Sequence, residues 1–178
     1  MEMLLFVEAA KRGGMCMARR RYACANIKEV KGYDAKKSRK WLLYLDANNL
    51  YGWAMSQYLP TGNYKWLDLT RTPNIHLIKP NASRGSMWEV KLKVPKELHF
   101  KFRDFPLCPE QIEVPRDWMS EVQNEYIKGY YKDKYSPAKK LVTTLNDKDH
   151  YTLHYRCLQQ CLNQGLILEK VYNRPVHF

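Results

Sequence analysis

This 178-residue sequence lacks the cysteine spacing of a disulfide framework or a zinc ribbon. There are five cysteines, an odd number, and no two of them form a C-x-x-C pair. They are Cys16, Cys24, Cys108, Cys157 and Cys161. Small secreted domains stabilised by disulfides carry an even number of cysteines. We therefore expect an intracellular, reducing compartment, the nucleus or the cytoplasm.

Three residues of types that can bind zinc leave a metal site open as an alternative. His154, Cys157 and Cys161 fall at helical spacing, which is compatible with zinc ligation. A fourth ligand is not found nearby in the sequence, and a free cysteine is ordinarily a small buried residue. Burial in a helix is therefore the simpler interpretation of these three residues.

Long hydrophobic runs are also lacking. The first ten residues contain LLFV, but Glu2 and Glu8 flank this run, and a membrane span needs about 20 apolar residues. We expect the start of an amphipathic helix that stops at Gly13-Gly14, and no membrane association. The sequence contains neither an internal repeat nor a low-complexity tract. A hydrophobic content of 45% with 13% aromatic residues excludes a wholly disordered chain.

Positive charge, by contrast, is abundant and concentrated. The formal net charge is +12, which favours a polyanionic partner such as nucleic acid. Between Lys11 and Lys40 there are eleven lysines and arginines against two acidic residues, a local net charge of +9. Within that segment, Arg19, Arg20 and Arg21 precede Tyr22, a combination typical of nucleic-acid contact. A solvated basic surface is the alternative interpretation.

The basic segment is followed by WLLYLDANNLYGWAM, residues 41–55. The apolar run from Trp41 to Leu45 predicts a buried strand that ends at Asp46. Asn48 and Asn49 are cap-type residues, so a helix is expected directly behind them. A carboxylate at the end of a strand can bind a divalent cation together with a phosphate. A half-buried capping aspartate is the structural alternative.

Further elements follow from local patterns. Residues 88–94 alternate apolar and charged side chains and predict a half-exposed strand that ends at Pro95. Residues 117–131 predict a helix. Residues 141–145, 151–155 and 166–171 predict strands, and residues 156–163 predict a helix that is stopped by Gly165. The absence of a βαβ rhythm indicates an α+β fold, with a mainly antiparallel sheet and short helices.

The run YLDANNLYG resembles motif A of family B DNA polymerases, in the protein-primed branch that serves viruses, linear plasmids and self-synthesising transposons. Arg12-Gly13-Gly14 is similar to the template-contacting R-G-G element that precedes motif A in this branch. Leu59-Pro60-x-Gly62 is similar to the turn that follows motif A. Residues 140–178 resemble the strand–helix–strand block between motifs A and B. The resemblance implies a basic lead-in over residues 1–40 and a partial polymerase palm over residues 41–178, as one domain.

The resemblance also implies roles for individual residues. Asp46 would be a catalytic carboxylate that binds Mg²⁺ or Mn²⁺, with the carbonyl of Ala47 as a further metal contact. The N–H groups of Asn49 and Leu50 would face the incoming deoxynucleoside triphosphate. Tyr51 would lie beneath the sugar and exclude a 2′-hydroxyl. The reaction of the intact nucleotidyltransferase would be two-metal attack of a primer 3′-hydroxyl on the α-phosphate, in DNA replication.

Partner contacts are implied in the same way. The DNA template and primer would contact Arg12, Gly13, Gly14, Arg19, Arg20 and Arg21. A terminal priming protein is a further candidate partner.

Two elements of the family pattern are missing from these 178 residues. Catalysis in family B needs a second aspartate from a D-T-D element and a lysine-bearing helix with an N-S-x-Y-G sequence. The only D-x-D, Asp147-Lys148-Asp149, lies in the wrong order along the chain and is more simply explained as a turn cap. We therefore expect a polymerase fragment that is inactive alone. The alternative is a catalytically inert, basic nucleic-acid-binding remnant of a mobile element; a one-carboxylate metal nuclease ranks lowest.

Overall fold

The protein has an α+β fold, as expected from the sequence. The computed structural model describes residues 2–13, 15, 22–68, 74–135, 138–172 and 175–178. The helices in this part of the chain are α1 (Met3–Ala9), α2 (Leu50–Met55), α3 (His99–Phe102), α4 (Glu121–Tyr130) and α5 (Tyr155–Asn163). The strands are β1 (Lys65–Trp66), β2 (Ser86–Lys93), β3 (Glu110–Glu113), β4 (Lys139–Val142), β5 (Lys148–His154), β6 (Ile167–Val171) and β7 (Val176–His177). Short 3₁₀ turns cover Ile75–Leu77, Lys96–Leu98 and Arg116–Trp118.

The main sheet is built around β2. Strand β5 pairs with one edge of β2, while β6 and β7 share the other edge, and β1 extends the sheet beyond β7. All of these pairings are antiparallel. The register shifts within β2 near Val90–Leu92 on both edges. A second, two-stranded antiparallel sheet consists of β3 and β4.

Strand β2 is buried on both faces from Ser86 to Val90, whereas Lys91 is partly exposed and Lys93 is exposed, so the prediction of a half-exposed strand is correct only for its second half. Trp88, Val90 and Leu92 belong to the core that α5 covers. On the opposite face, Met87 packs with Phe6 of α1. The alternating pattern was misleading at the start of the strand because Phe6, some 80 residues earlier in the chain, packs on Met87, and His150 contacts the Glu89 carboxylate. Burying one such apolar side chain contributes about 1.5–3 kcal/mol.

The predicted helices form where local signals are strong. Helix α1 confirms the amphipathic start, and α4 lies within the predicted 117–131 range. Ser120 and Gln123 form a capping box at the start of α4, which satisfies two otherwise free N–H groups. The predicted helix at 156–163 corresponds to α5, and the imidazole of His154 caps it by accepting from the N–H of Arg156. The three predicted strands near the carboxyl end overlap β4, β5 and β6.

The chain forms two compact units, one containing residues 16–59 and the other containing residues 1–15 and 60–178. The sequence-based expectation is a single domain with a basic lead-in over residues 1–40. In the smaller unit, Asn26 and Lys40 exchange backbone hydrogen bonds of 2.8 and 3.2 Å, which close a loop over residues 26–40. The side-chain amide of Asn26 donates to the carbonyl of Asp34 and accepts from its N–H. This loop therefore has a defined local conformation without regular secondary structure.

The predicted strand from Trp41 to Leu45 does not form. These residues belong to none of the described strands, and all five side chains are exposed, Tyr44 by 96%. An apolar run becomes a strand only when a neighbouring edge supplies hydrogen bonds and a packed layer covers its side chains. The part of the chain that the structure describes supplies residues 41–45 with neither a neighbouring strand edge nor a packed layer.

Candidate catalytic and nucleic-acid-binding residues

Asp46 lies in the extended stretch that precedes α2. Its side chain is exposed, and no hydrogen bond or ion pair joins its carboxylate to another described residue. Ala47 is exposed beside it. The carboxylate is thus open to an external ligand, but it does not occupy the predicted position at the end of a buried strand.

Asn49 organises the start of α2. It has a left-handed backbone conformation with φ of 49°, which asparagine tolerates better than most residues. Its side-chain oxygen accepts from the N–H of Gly52 at 3.3 Å, and its carbonyl accepts from the N–H of Trp53 at 3.0 Å. A Cβ atom at Gly52 would lie only 2.4 Å from the Asn49 amide, so a larger residue there would displace this cap.

The nucleotide-binding residues expected after Asp46 are all accessible. Leu50 is 54% exposed and Tyr51 is 85% exposed. No acceptor among the described residues engages the backbone N–H of Asn49 or Leu50. The Tyr51 ring therefore does not serve as a core aromatic in the smaller unit. Its contact with a sugar stays a prediction.

A divalent metal needs more ligands than this stretch supplies. Mg²⁺ is bound by one or two carboxylates with the help of substrate phosphates. In the described residues there is no group of three His, Cys, Asp or Glu side chains placed to bind a metal ion. Asp46 and the carbonyl of Ala47 are an incomplete donor set, so no catalytic step can be derived from these residues alone.

The loop over residues 26–40 presents a basic surface in the smaller unit. It carries six exposed cationic side chains, of Lys28, Lys31, Lys36, Lys37, Arg39 and Lys40. Of these six, only Lys37 forms an ion pair with a described residue, Asp34, at 3.4 Å. Unpaired cations on an ordered loop are suited to contact phosphates. The sequence indicated this charge, but it did not indicate the organising role of Asn26.

Arg12, predicted to contact the DNA template, makes internal contacts in the larger unit. Its Nε donates to the Tyr151 hydroxyl at 2.9 Å, and one terminal nitrogen donates to the carbonyl of Thr152 at 2.8 Å. The other terminal nitrogen donates to the carbonyls of Ala9 and Lys11. Four of the five guanidinium N–H groups are therefore engaged. These contacts anchor the end of α1 to β5.

Tyr151 is well suited to accept this hydrogen bond. Its ring also lies 4.5 Å from the guanidinium carbon of Arg12, a cation–π contact. Burial raises the pKa of Tyr151 to about 12, so the phenol keeps its proton. That proton is donated to the carbonyl of Pro109 at 2.9 Å.

The remaining predicted contact residues are placed as follows. Gly13 lies in the larger unit and is exposed. Gly14, Arg19, Arg20 and Arg21 lie outside the described residues. Template contact by this group stays a prediction.

The D-x-D sequence serves structural purposes. Asp147 accepts from the N–H of Val94 at 2.7 Å, at the end of β2. The Asp149 carboxylate accepts from the phenol of Tyr172. The Tyr172 hydrogen bond lowers the pKa of Asp149. The two carboxylates therefore contact different groups in distant parts of the sequence, and neither of these two contacts caps a turn, contrary to the turn-capping interpretation.

Lys148, between these aspartates, is fully buried. Its ammonium group donates to Glu110 at 2.6 Å, to the Thr144 hydroxyl at 2.7 Å and to the Thr144 carbonyl at 3.2 Å. All three ammonium donors are thus satisfied, as burial of a charge requires. This pair connects β5 of the main sheet to β3 of the second sheet. The sequence offered no signal for it because Glu110 and Lys148 are 38 residues apart.

A polar cluster on the main sheet was also missed by sequence reasoning. His150, with φ of 45°, places its Nδ1 2.8 Å from the nearly buried carboxylate of Glu89. The imidazole stacks on the Tyr172 ring with centroids 3.9 Å apart. A carboxylate and an imidazole at this distance are compatible with proton transfer.

The residues considered for zinc are engaged separately. The imidazole of His154 accepts from the N–H of Arg156 and caps α5. Burial lowers the pKa of His154 to about 4, so the ring is neutral near pH 7. The buried thiol of Cys161 lies 3.4 Å from that of Cys108. This hydrogen bond, together with burial, raises the pKa of Cys161. Cys157 is exposed.

Comparison of the chain with protein-family models, with curated proteins and with solved structures yields no match. None of the helices in the described ranges is long and apolar enough to cross a membrane.

Proposed function

We propose that this chain is part of the palm of a DNA-directed DNA polymerase of the protein-primed branch of family B, and that it supplies motif A. The observation that carries the proposal is the stretch YLDANNLYG, in which an accessible carboxylate precedes a turn capped by Asn49. The net charge of +12 also favours a nucleic-acid substrate.

In this proposal Asp46 is one of two carboxylates that act on the primer and the incoming deoxynucleotide. The second carboxylate and the lysine-bearing helix come from outside residues 1–178. The stretch from Trp41 to Leu45 joins the sheet that carries them, which accounts for its exposed apolar side chains. The isolated chain is accordingly inactive in primer extension.

The test begins with the open reading frame around these 178 residues. Under the proposal, the frame continues, directly or after an intron, into K-x-x-x-N-x-x-x-G and D-T-D sequences. The intact protein is then assayed for primer extension with deoxynucleotides and Mg²⁺. Asp46→Asn preserves the size of the side chain but removes its charge, and activity should fall by at least about 10³-fold, or about 4 kcal/mol in barrier height.

Glu29→Gln is the matched control, because Glu29 is an exposed carboxylate in the same compact unit. Its primer extension should equal that of the wild type. Normal extension by the Asp46→Asn protein would remove Asp46 from the catalytic site and overturn the proposal.

A second candidate function is that of an inert nucleic-acid-binding remnant of a mobile element. The exposed cations of the 26–40 loop favour it, because they need no catalytic partner. The isolated chain should bind DNA with an affinity that falls steeply as salt is raised, since phosphate contacts release counterions. A salt-independent affinity would contradict an electrostatic interface. Stop codons directly after residue 178 would favour the remnant over the polymerase.

A further inference from the structure

A cavity of about 370 Å³ opens in the larger unit, beside the main sheet where β1 begins and β7 ends. Its volume is at the lower end of the range for sites that bind small ligands. The residues that line it are Asn63, Lys65, Ser83, Arg84, His177 and Phe178. They come from three segments that are far apart in the sequence.

Backbone pairing brings these segments together. Lys65 of β1 lies directly opposite His177 of β7. Side chains of opposed residues in antiparallel strands project to the same face, with Cβ atoms about 4.5–5.5 Å apart. Gly85 and Phe178 exchange backbone hydrogen bonds of 3.1 and 3.2 Å, which hold the turn containing Arg84 beside β7.

Gly85 is required for this close approach. A Cβ atom at that position would lie 2.4 Å from the Phe178 ring. The ring is also held by His154, with centroids 5.6 Å apart, and by Tyr64, with centroids 6.0 Å apart. One wall of the cavity is therefore fixed by aromatic packing.

The cavity is positively charged. Lys65 and Arg84 are cationic, His177 lines the same cavity, and the lining contains no aspartate or glutamate. Within the described ranges, none of these three side chains forms an ion pair or a hydrogen bond.

Neutral donors complete the arrangement. The Asn63 amide and the Ser83 hydroxyl line the same cavity. Cations combined with amide and hydroxyl donors are the groups that contact phosphate oxygens in proteins.

We propose that this cavity binds a phosphate group, either a phosphodiester of a nucleic acid or a free phosphate. None of the residues that line the cavity belongs to motif A, and the proposal does not depend on the proposed polymerase function. Lys65 and Arg84 neutralise the phosphate, while Asn63 and Ser83 donate to its oxygens.

The first experiment measures the binding of a fluorescein-labelled single-stranded DNA to the full chain by anisotropy, across a salt series. The double variant Lys65→Gln/Arg84→Gln should bind about three- to tenfold more weakly, with the salt slope reduced by about 0.7, the value for one phosphate contact. The matched control is Lys93→Gln/Lys96→Gln, which removes two exposed charges from the same unit. The control should change affinity less than twofold, and circular dichroism should show that both variants are folded.

The second experiment identifies the source of the phosphate. Inorganic phosphate, and separately a short unlabelled DNA, are titrated into ¹⁵N-labelled protein against a sodium chloride blank. The amide signals of Ser83, Arg84 and His177 should shift along one saturation curve in the wild type and the control, but not in the Lys65→Gln/Arg84→Gln protein. Tighter saturation by DNA identifies a nucleic-acid phosphodiester, and tighter saturation by inorganic phosphate identifies a free phosphate. Unchanged signals with both probes would overturn the proposal, as would equal loss of DNA affinity in the two double variants.

Discussion

Replacing Glu110 with glutamine should destabilise the larger unit more than any change at an exposed ion pair. The substitution leaves the Lys148 ammonium group fully buried without its countercharge. Removing one partner of a buried ion pair costs about 3–5 kcal/mol. For a chain of this size, 1 kcal/mol corresponds to about 2–4 °C in the unfolding midpoint, so we expect a fall of about 10 °C.

Replacing the lysine of the pair instead of the glutamate should lower the free energy of unfolding by a smaller amount. This difference between the two substitutions tests the reasoning. In the Lys148→Met protein, the side chain of Glu110 is 22% exposed and can be hydrated, whereas that of Lys148 in the wild type is 0% exposed. We expect a loss of about 1–3 kcal/mol, the value of a hydrogen bond to a charged group. The double variant Glu110→Gln/Lys148→Met should recover part of the loss, with a coupling of about 1–3 kcal/mol.

The measurement is urea unfolding followed by circular dichroism, with the free energy of unfolding extrapolated to water. The control is the pair Lys91 and Glu169, which has the same residue types at 3.0 Å but with 39% and 32% exposure. The corresponding substitutions there should cost at most about 1 kcal/mol. The importance of the buried ion pair would be refuted if the Glu110→Gln protein were as stable as the Glu169→Gln protein. Additive effects of the two substitutions in the double variant would also refute it.

Two further outcomes follow from the capping histidine and the anchoring arginine. The pKa of His154 is lowered to about 4 from an ordinary value of 6.5. Between these two pH values the unfolded chain therefore binds one more proton than the folded chain. The free energy of unfolding should decrease as the pH falls through this window. His154→Asn keeps a capping acceptor for Arg156 and should remove this component, so an unchanged pH profile in urea unfolding would contradict it. Arg12→Ala should lower the free energy of unfolding by about 2–3 kcal/mol, because the hydrogen bonds of Arg12 to Tyr151 and Thr152 are lost. Hydrogen exchange in α1 should become faster. The control is Lys11→Ala at an exposed site, and equal stability of the two variants would show that the Arg12 contacts contribute nothing.

Local sequence patterns were sufficient for elements that depend mainly on their own residues. Helix α4 carries its capping box within four residues, and β5 runs directly into α5 through the capping residue His154. The short strands β1 and β7 were missed because neither has a pattern of its own. Lys65 pairs with His177, which is 112 positions away, and only the folded chain reveals the pairing.

The candidate site, like the fold, could be predicted only in part from the sequence. Family resemblance singled out Asp46 and Tyr51, and both are accessible. Charge counting alone does not show that Arg12 makes internal contacts, because a guanidinium is equally suited to phosphate and to carbonyl oxygens. The cavity near Arg84 could not be anticipated because its lining is assembled from three distant segments.

The exposed stretch from Trp41 to Leu45 has a practical consequence for the isolated chain. Residues 41–45 contain no charge, proline or glycine, and their backbone groups bond to no other described residue, so they form a template on which identical segments can stack as β-strands. Self-association through this stretch will limit the concentration at which the chain can be handled. A lysine in place of Leu43, which is 81% exposed, acts as a gatekeeper and raises that limit without removing a described contact.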